Sequence, residues 1–238
     1  MAAGRKLGAD VLSGVPLLTT AARAREHTVL LTGFAPFAGE SVNPSWQAVR
    51  ALEGRVIAGH RITTLELPCA FGQSLPALRR ALVKVAPALA VAVGLAGGRD
   101  GISLERVAIN LVDARIPDNA GAQPTDAPVV RAGPAAYFST LPLKSTLQAL
   151  AAAGIPAHIS QTAGTYVCNQ VFYALMHALR YRRHTRAGFV HVPWLPAQAK
   201  AHAQPGMPLA DTVHALEAVV RTALVTRTDA RVTGGAES

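Results

Sequence analysis

Cysteine is scarce in this sequence: a chain of 238 residues has only Cys69 and Cys168, too few for a disulfide framework. The cysteines and histidines also lack the close spacing of a zinc site. No apolar run approaches the roughly 20 residues that a transmembrane helix requires. The N-terminal stretch makes a poor signal peptide, because Asp10, Ser13 and Pro16 interrupt its apolar residues. These absences predict a cytoplasmic protein that does not associate with a membrane.

Acidic residues are also few, 14 against 23 lysines and arginines, which gives a net charge of +9. Such a charge can indicate nucleic-acid binding. However, the basic residues are scattered, and their main cluster, residues 180–186, falls at a predicted helix end, where positive charge suits the helix dipole. We therefore predict no nucleic-acid partner. Half of the residues are hydrophobic, which is enough to bury a large core.

Short apolar runs alternate with amphipathic segments, which predicts an α/β fold. We predict strands at residues 28–33, 61–67, 88–93, 102–110, 155–159 and 189–193. We predict helices that begin at Asn43-Pro44, cover residues 75–85 and 143–153, follow Cys168, and cover residues 209–224. The expected architecture is a single-domain, three-layer α/β/α sandwich around a mainly parallel twisted sheet, formed by residues 27–225. Residues 1–26 are expected to be a flexible N-terminal extension, and residues 226–238 a polar C-terminal tail.

Several chemically distinctive residues fall at or just after predicted strand ends: Phe34, Phe37, Gly94, Cys168 and His191. In parallel sheets, ligands bind at the carboxyl ends of the strands. Residues 113–139 form a long segment without periodicity, and such loops within compact domains are often functional. Together these features favour a functional site at one edge of the sheet.

Cys168 lies near the first turn of a helix that follows an apolar strand and a turn of small, hydroxylated residues. The N-terminus of a helix carries partial positive charge, which favours the thiolate, the nucleophilic form of cysteine. The alternative is a buried structural cysteine. A cysteine hydrolase also requires a base and a group that orients the base.

His191 is the candidate base, because it alone among eight histidines lies near a predicted strand end between apolar residues. The alternative is a core histidine. Glu105 is a candidate for the orienting acid, since a carboxylate within an apolar strand needs a partner. That partner could instead be Arg106 or Arg115, in a structural ion pair. Asp118 is a second candidate acid, although its surroundings also suit an ordinary turn.

Over residues 29–223 the chain resembles the pyrrolidone-carboxyl peptidases, also called pyroglutamyl peptidase I, a family of cysteine peptidases. The motifs that carry the resemblance occur in the family's order and are TGFAPF (32–37) with NP (43–44), GGR (97–99) with Ile102, ERVAIN (105–110), ARIPDN (114–119), TAGTYVCN (162–169) and FVHVP (189–193).

The resemblance implies that Cys168 is the nucleophile, His191 the base and Glu105 the orienting acid. It implies hydrolysis of the amide bond after an N-terminal pyroglutamyl residue of peptides, through a thioester acyl-enzyme and without a metal or cofactor. Family members are often oligomeric, so the resemblance is compatible with a dimer or tetramer, while the sequence alone leaves monomer, dimer and tetramer open. The residues that the resemblance places around the pyroglutamyl ring or the oxyanion are Phe34, Phe37, Asn43, Leu95, Arg115, Tyr166 and Val167. For both phenylalanines, plain core packing is the alternative.

The sequence departs from the family pattern at three positions. Ala38 stands where the family usually has glycine, which predicts a slightly stiffer first loop. Leu95 stands where some members have glutamine, and a backbone contact there would survive the change. Cys69 stands at the expected edge of the pocket, where others have threonine or an aliphatic residue. We predict that Cys69 is not catalytic but sensitises the enzyme to oxidation.

Two rival functions remain on the sequence alone. One is a binding protein of the same fold that has lost catalysis, although a binder would not need Cys168, His191 and Glu105 together. The other is a nucleic-acid binder, which a steep salt dependence of binding would support.

Overall fold

The computed structural model describes residues 27–233, so the predicted extension (1–26) and the end of the predicted tail (234–238) lie outside the described residues. The strands of this part are β1 (Thr28–Phe34), β2 (Val56–Ile57), β3 (His60–Leu67), β4 (Leu89–Leu95), β5 (Ile102–Glu105), β6 (Val107–Ile109), β7 (Ala136–Phe138), β8 (Ala157–Ser160) and β9 (Arg186–Val192). Its helices are α1 (Pro44–Arg50), α2 (Phe71–Val85), α3 (Leu143–Ala152), α4 (Val167–Leu179), α5 (Pro196–His202) and α6 (Leu209–Val225). None of these helices is long and apolar enough to cross a membrane.

Seven strands form the central sheet in the order β2-β3-β1-β4-β9-β5-β8. β1 pairs in parallel with β3 and β4, β4 with β9, and β5 with β8. β2 pairs antiparallel with β3, and β5 pairs antiparallel with β9. Every residue of β4 is buried, as expected for a central parallel strand that is covered on both faces. The predicted mainly parallel sheet is thus confirmed.

Alternating side chains of the strands contribute to two cores, one on each face of the sheet. Leu31 of β1 belongs to the core that also includes residues of α1, α3 and α6, whereas Leu30 and Phe34 belong to the core that includes residues of α2 and α4. The same alternation along β9 places Phe189, and with it His191, on the α2 and α4 face. These two helical layers and the sheet between them make up the predicted three-layer sandwich.

The first helix begins as the sequence predicts, with Asn43 at the N-cap position and Pro44 as the first helical residue. The N–H of Ser45 donates a hydrogen bond to Asn43 Oδ1 at 3.0 Å. Asn43 Nδ2 in turn donates to the carbonyl oxygen of Ala35 at 3.1 Å. This cap therefore also holds the loop between β1 and α1, which carries Phe37.

The strand predicted over residues 102–110 is in fact two strands in different sheets. β5 ends at Glu105, and the N–H of Arg106 then donates to the carbonyl oxygen of Ser160 at 2.9 Å. β6 pairs with β7 in a separate, two-stranded antiparallel sheet. The alternation of apolar residues continues through the bend, so periodicity could not reveal it. Periodicity also misses β2, β7 and α5, which are too short for a clear signal.

The predicted polar tail continues in contact with the fold beyond residue 225. Asp229 accepts hydrogen bonds from the N–H groups of Lys144 and Ser145, in the first turn of α3, at 3.2 and 2.8 Å. The N–H of Ala230 donates to the Ser145 hydroxyl at 3.0 Å. A carboxylate at a helix N-terminus is favoured by the helix dipole. The sequence pattern does not reveal this cap, because it comes from a residue remote along the chain.

Candidate active site

Cys168 is the second residue of α4. The N-cap residue of this helix is Tyr166, and its side chain makes no capping hydrogen bond. β8, the strand before α4, runs antiparallel to β9, so the carboxyl ends of these two strands point to opposite edges of the sheet. The expectation that Cys168 and His191 both follow strand ends at one edge is therefore wrong. Instead, α4 packs across one face of the sheet. Asn169 fixes its start: the side-chain amide donates to the carbonyls of Ile109 and Leu111 at 2.9 and 2.8 Å, and its oxygen accepts from the Ile109 N–H at 3.0 Å.

Gly94 leaves room for the thiol of Cys168. It lies on β4 in register with His191 on β9. A Cβ atom at this position would lie 2.9 Å from Cys168 Sγ and 2.8 Å from Phe189 Cζ, closer than real Cβ atoms come to their neighbours. The missing side chain therefore lets the thiol approach the strand pair that carries His191.

His191 and Glu105 form a buried pair across the antiparallel strands β9 and β5. Nδ1 of His191 lies 2.7 Å from Glu105 Oε1, and the two side chains are 4% and 0% exposed. Because an ionised carboxylate can only accept a hydrogen bond, Nδ1 carries the proton and Nε2 can accept one. The ring of Phe189 lies beside the imidazole, with 4.8 Å between ring centres. His191 therefore has an acid that orients it, as a general base requires.

Arg99 is the cation that pairs with Glu105, in place of the expected alternatives Arg106 and Arg115. Its Nη1 donates to Glu105 Oε1 at 2.9 Å, and its Nη2 donates to the Thr162 carbonyl at 3.3 Å. Glu105 Oε2 is buried and has no hydrogen-bond partner within residues 27–233. Sequence reasoning assigned Arg99 no role, although its place directly after a glycine-rich turn at the end of β4 was a usable signal.

Burial raises the pKa of the Cys168 thiol well above its ordinary value. The neighbouring Cys69 and Glu105 raise this pKa further, whereas Arg99 lowers it. Desolvation disfavours the charged form and so opposes the effect of the helix N-terminus on this thiol. A protonated thiol needs a base to become a nucleophile.

Asp118, the second candidate for the orienting acid, serves a different helix. Its carboxylate accepts hydrogen bonds from the N–H of Phe71, at the start of α2, at 2.6 Å, and from those of Ala120 and Ala122 at 2.8 and 2.9 Å. Burial alone would raise the pKa of Asp118, but these N–H groups stabilise its charged form and leave the pKa below its usual value. Asp118 therefore caps α2 from a loop.

Replacing Asp118 with asparagine is expected to lower the free energy of unfolding near neutral pH by about 1–3 kcal/mol, because a neutral amide oxygen accepts these bonds less strongly. The pKa of Asp118 is lower in the folded state, so its contribution is present above about pH 4 and is lost as the pH falls through the folded-state pKa. Urea unfolding near neutral pH and at about pH 3 measures both effects.

The matched control is Asp126→Asn, at an exposed acidic residue in a loop. An equal loss in the control, or a difference that persists in acid, would contradict the capping role.

An open cleft of about 370 Å³ adjoins the start of α4. The residues that line it are Phe37, Asp113, Arg115, Ile116, Thr165 and Tyr166. Three of the predicted substrate-binding residues, Phe37, Arg115 and Tyr166, are thus brought together. The rings of Phe37 and Tyr166 lie 6.4 Å apart, centre to centre, and give the cleft an aromatic wall.

The other predicted substrate-binding residues, Phe34, Asn43, Leu95 and Val167, are buried and do not line this cleft. Phe34 packs against Phe189 with 6.4 Å between ring centres, as the alternative of core packing predicted. The side chain of Asn43 is engaged by the α1 cap and the first loop. These residues shape the surroundings of the cleft from within the core.

Helix α5, which sequence reasoning missed, holds the loop that carries Phe37. Gln198 Nε2 donates to Glu40 Oε2 at 2.6 Å and to the Val42 carbonyl at 3.0 Å. His202 Nε2 lies 2.7 Å from Glu40 Oε1. The hydrogen bond from Gln198 and then that from His202 lower the pKa of Glu40. The first loop is therefore fixed at both ends, by Asn43 and by α5.

Ala38 adopts a left-handed backbone conformation, with φ of 53°, in the turn that the Glu40 N–H closes onto the Phe37 carbonyl. Replacing Ala38 with glycine is expected to raise the free energy of unfolding by about 0.5–1 kcal/mol, because glycine adopts this conformation without strain. Ala35→Gly is the control: Ala35 lies in the same loop without a positive φ, and the change there should destabilise the protein. Urea unfolding distinguishes the two signs. Destabilisation by Ala38→Gly would show that the turn carries no strain.

Burial raises the pKa of Cys69 to about 12, and the nearby charge of Asp118 contributes to the same direction. The Cys69 thiol is therefore protonated at neutral pH and a poor nucleophile toward peroxide. This disfavours the hypothesis that Cys69 sensitises the enzyme to oxidation, and it agrees with the prediction that Cys69 is not catalytic.

Known proteins match most of this chain. Residues 27–226 match the family model described as pyroglutamyl peptidase. The pyrrolidone-carboxylate peptidases of Klebsiella pneumoniae and Erwinia tasmaniensis are 54% and 56% identical to this chain. Each comparison covers 209 residues, which is 87% of this chain and 98% of the relative.

Solved structures give the same result. A crystal structure of pyroglutamyl peptidase I from Bacillus amyloliquefaciens is 45% identical, with a TM-score of 0.85 over 87% of this chain and 100% of that chain. A mutant pyrrolidone carboxyl peptidase from the hyperthermophile Pyrococcus furiosus is 39% identical, with a TM-score of 0.81 over 83% and 98% of the two chains. From the family match, the identities and the shared fold, this chain belongs to the pyroglutamyl peptidase family of cysteine peptidases.

Proposed function

We propose that Cys168, His191 and Glu105 carry out the reaction of this cysteine exopeptidase, the hydrolysis of the amide bond after an N-terminal pyroglutamyl residue. The observation that supports this assignment best is the buried pair of His191 and Glu105, on the face of the sheet that α4 and Cys168 cover. The relatives named pyrrolidone-carboxylate peptidases match nearly their whole length to this chain, which supports the same substrate class.

The first half of the reaction forms an acyl-enzyme. His191 Nε2 takes the proton of the Cys168 thiol, and the sulfur attacks the carbonyl carbon of the pyroglutamyl residue. The carbonyl π electrons move to oxygen and give a tetrahedral oxyanion. As the oxyanion collapses, the C–N bond breaks, and His191 returns the proton to the departing amine. The products are the free peptide amine and a thioester between the pyroglutamyl group and Cys168.

The oxyanion lies where the start of α4 can stabilise it. Its N-cap residue, Tyr166, supplies no side-chain cap, so that side chain does not compete for the first N–H groups of the helix, including that of Cys168, which can donate to an oxyanion. The helix dipole adds partial positive charge at the same place. Arg115, on the cleft wall, is a further candidate for this role.

The second half of the reaction releases the acyl group. His191 takes a proton from water, and the oxygen of that water attacks the thioester carbonyl carbon. The second oxyanion collapses, the C–S bond breaks, and the proton on His191 returns to the sulfur. Pyroglutamate and the free thiol result. Glu105 keeps the imidazole in one tautomer through both halves and stabilises its charged form.

The lining of the cleft supports recognition of a pyroglutamyl ring. The ring is small, flat and uncharged, so the aromatic walls formed by Phe37 and Tyr166 suit it. Because the substrate has no free amine, the site needs no carboxylate to bind one. Polar groups that pair with the lactam would reject proline, which lacks the lactam carbonyl and would leave them unpaired.

The test is the release of a fluorescent amine from a pyroglutamyl amide, measured beside the prolyl analogue. Wild-type protein should release the amine from the pyroglutamyl amide only, and Cys168→Ala should lower kcat by about 10⁴-fold or more. Cys69→Ser is the matched control and should keep most of the activity. Absence of release by folded, reduced wild-type protein would contradict the proposal and favour a binding protein that has lost catalysis.

We also propose that the protein is cytoplasmic, that it has no nucleic-acid or membrane partner, and that it forms a dimer or tetramer.

A further inference from the structure

Glu105 has one oxygen that is used twice and one that is not used by any described residue. Oε1 binds both His191 Nδ1, at 2.7 Å, and Arg99 Nη1, at 2.9 Å. Oε2 is buried and has no hydrogen-bond partner within residues 27–233. The orientation of this carboxylate therefore depends on two contacts to one atom. If Arg99 were removed, only His191 would hold Glu105.

Arg99 is placed to supply the second contact. It follows Gly97 and Gly98, and Gly98 has a φ of 81° that favours glycine, so the chain turns sharply at the end of β4. Nη2 of Arg99 also donates to the carbonyl of Thr162, in the loop that leads to Cys168. The guanidinium thus joins the strand of the acid to the loop of the nucleophile. Its side chain is 24% exposed, so it is partly shielded from water.

The charges of the site favour the same role. Glu105 is 0% exposed, and a buried carboxylate without a cation would be strongly destabilised. One cation is enough to balance it. If Arg99 supplies that cation, His191 does not have to be protonated to do so. A neutral imidazole is the form that can take the proton of Cys168.

We infer that Arg99 is a positioning residue of this enzyme: it fixes Glu105 and balances its charge, so that His191 stays neutral and available as the base. This role rests on the proposed triad and goes beyond it. The resting ion pair is then between Glu105 and Arg99. The protonated His191 that forms during the reaction is an additional charge, balanced by the sulfur anion or the oxyanion.

The charged and titratable groups around His191 come from several elements, and a pH experiment must consider them all. They are Glu105 on β5, Arg99 in the turn after β4, Cys168 on α4 with Cys69 near it, and His158 on β8, which binds Ser103 beside His191. Of these, only Arg99 holds a fixed positive charge. Its removal should therefore shift the pH dependence in one direction.

The experiment measures kcat/KM for a pyroglutamyl amide against pH in Arg99→Gln and Arg99→Lys. In Arg99→Gln the unbalanced charge of Glu105 retains the proton on His191, so the acid limb should move to higher pH by about one unit. Near neutral pH, kcat/KM should fall about 10- to 100-fold, mainly through a lower kcat.

Arg99→Lys keeps the positive charge, so the acid limb of its pH profile should stay near that of wild type. Arg80→Gln, at an exposed arginine on α2, is the matched control and should change neither quantity.

A double variant tests whether Arg99 acts through Glu105, even where Arg99→Gln alone folds poorly. Once Glu105→Gln has removed the carboxylate, adding Arg99→Gln should leave folding intact and cause no further loss of kcat, because no carboxylate remains to be positioned. The pH dependence of Cys168 alkylation by iodoacetamide reports the shift of the acid limb in Arg99→Gln without turnover. An acid limb that stays in place in folded Arg99→Gln, or an equal loss of kcat with and without Glu105→Gln, would overturn the role of Arg99. A normal kcat/KM in Glu105→Gln would instead overturn the triad itself.

Discussion

Glu105→Gln is expected to lower kcat for pyroglutamyl amides by about 10²- to 10⁴-fold while KM changes little. Glutamine has nearly the same shape, so the packing around the fully buried side chain is kept. The change removes the negative charge that fixes the tautomer of His191 and stabilises its protonated form. It also leaves Arg99 next to a neutral amide, which cannot balance its charge. Because Glu105 acts through His191 and does not line the substrate cleft, the loss should appear in kcat.

The matched control is Glu53→Gln, at an exposed glutamate whose carboxylate binds Thr64 on β3. This variant removes the same charge away from the site and should keep wild-type kinetics. Steady-state kinetics of both proteins, with urea unfolding to confirm that they are folded, separate the two cases. A Glu105→Gln enzyme with normal kcat would mean that His191 needs no ionised partner, which contradicts the proposed triad.

Gly94→Ala is expected to lower kcat/KM by about 100-fold, because displacement of a reacting group by about 1 Å can have this effect. The new Cβ would lie 2.9 Å from Cys168 Sγ and 2.8 Å from Phe189 Cζ. Neither neighbour can move away freely, since Phe189 is fully buried and packs against the imidazole of His191. The added methyl group must therefore displace the thiol or the base. Such overpacking also lowers the free energy of unfolding, by about 1–3 kcal/mol.

Gly72→Ala provides the control for this substitution. Gly72 lies in α2, and a Cβ there meets no atom within 4 Å, so alanine should keep activity and slightly stabilise the helix. Kinetics and urea unfolding should be measured on both variants. If Gly94→Ala loses stability but keeps kcat/KM, the thiol does not depend on the space at residue 94. The rate of Cys168 alkylation by iodoacetamide provides a second measure of its displacement.

Local features of the chain were predictable because they depend on neighbouring residues alone. The apolar run of β4 and the amphipathic pattern of α6 show their elements directly. Asn43 followed by Pro44 identifies the start of α1, since a capping side chain and a proline suit those positions. The candidates for nucleophile, base and acid could also be named, because few chemically suitable residues fall near strand ends.

Other features depend on which strands lie side by side and in which direction. Glu105 and His191 are 86 residues apart in sequence, and their contact requires that β5 pair antiparallel with β9. The apolar alternation of β5 is the same for either direction, so the sequence pattern favoured a simpler parallel arrangement. For the same reason the sequence pattern did not reveal the bend at Arg106 or the position of Gly94 beside the Cys168 thiol.

The sequence by itself determined the class of fold, most of the helices and strands, the family resemblance and the three candidate catalytic residues. The tertiary structure alone decided that Arg99 pairs with Glu105, that Asp118 caps α2, and that burial raises the pKa of the Cys168 thiol. The physical reason is that propensity and capping act over a few neighbouring residues. Ion pairing and desolvation depend instead on every group that folding brings around a site.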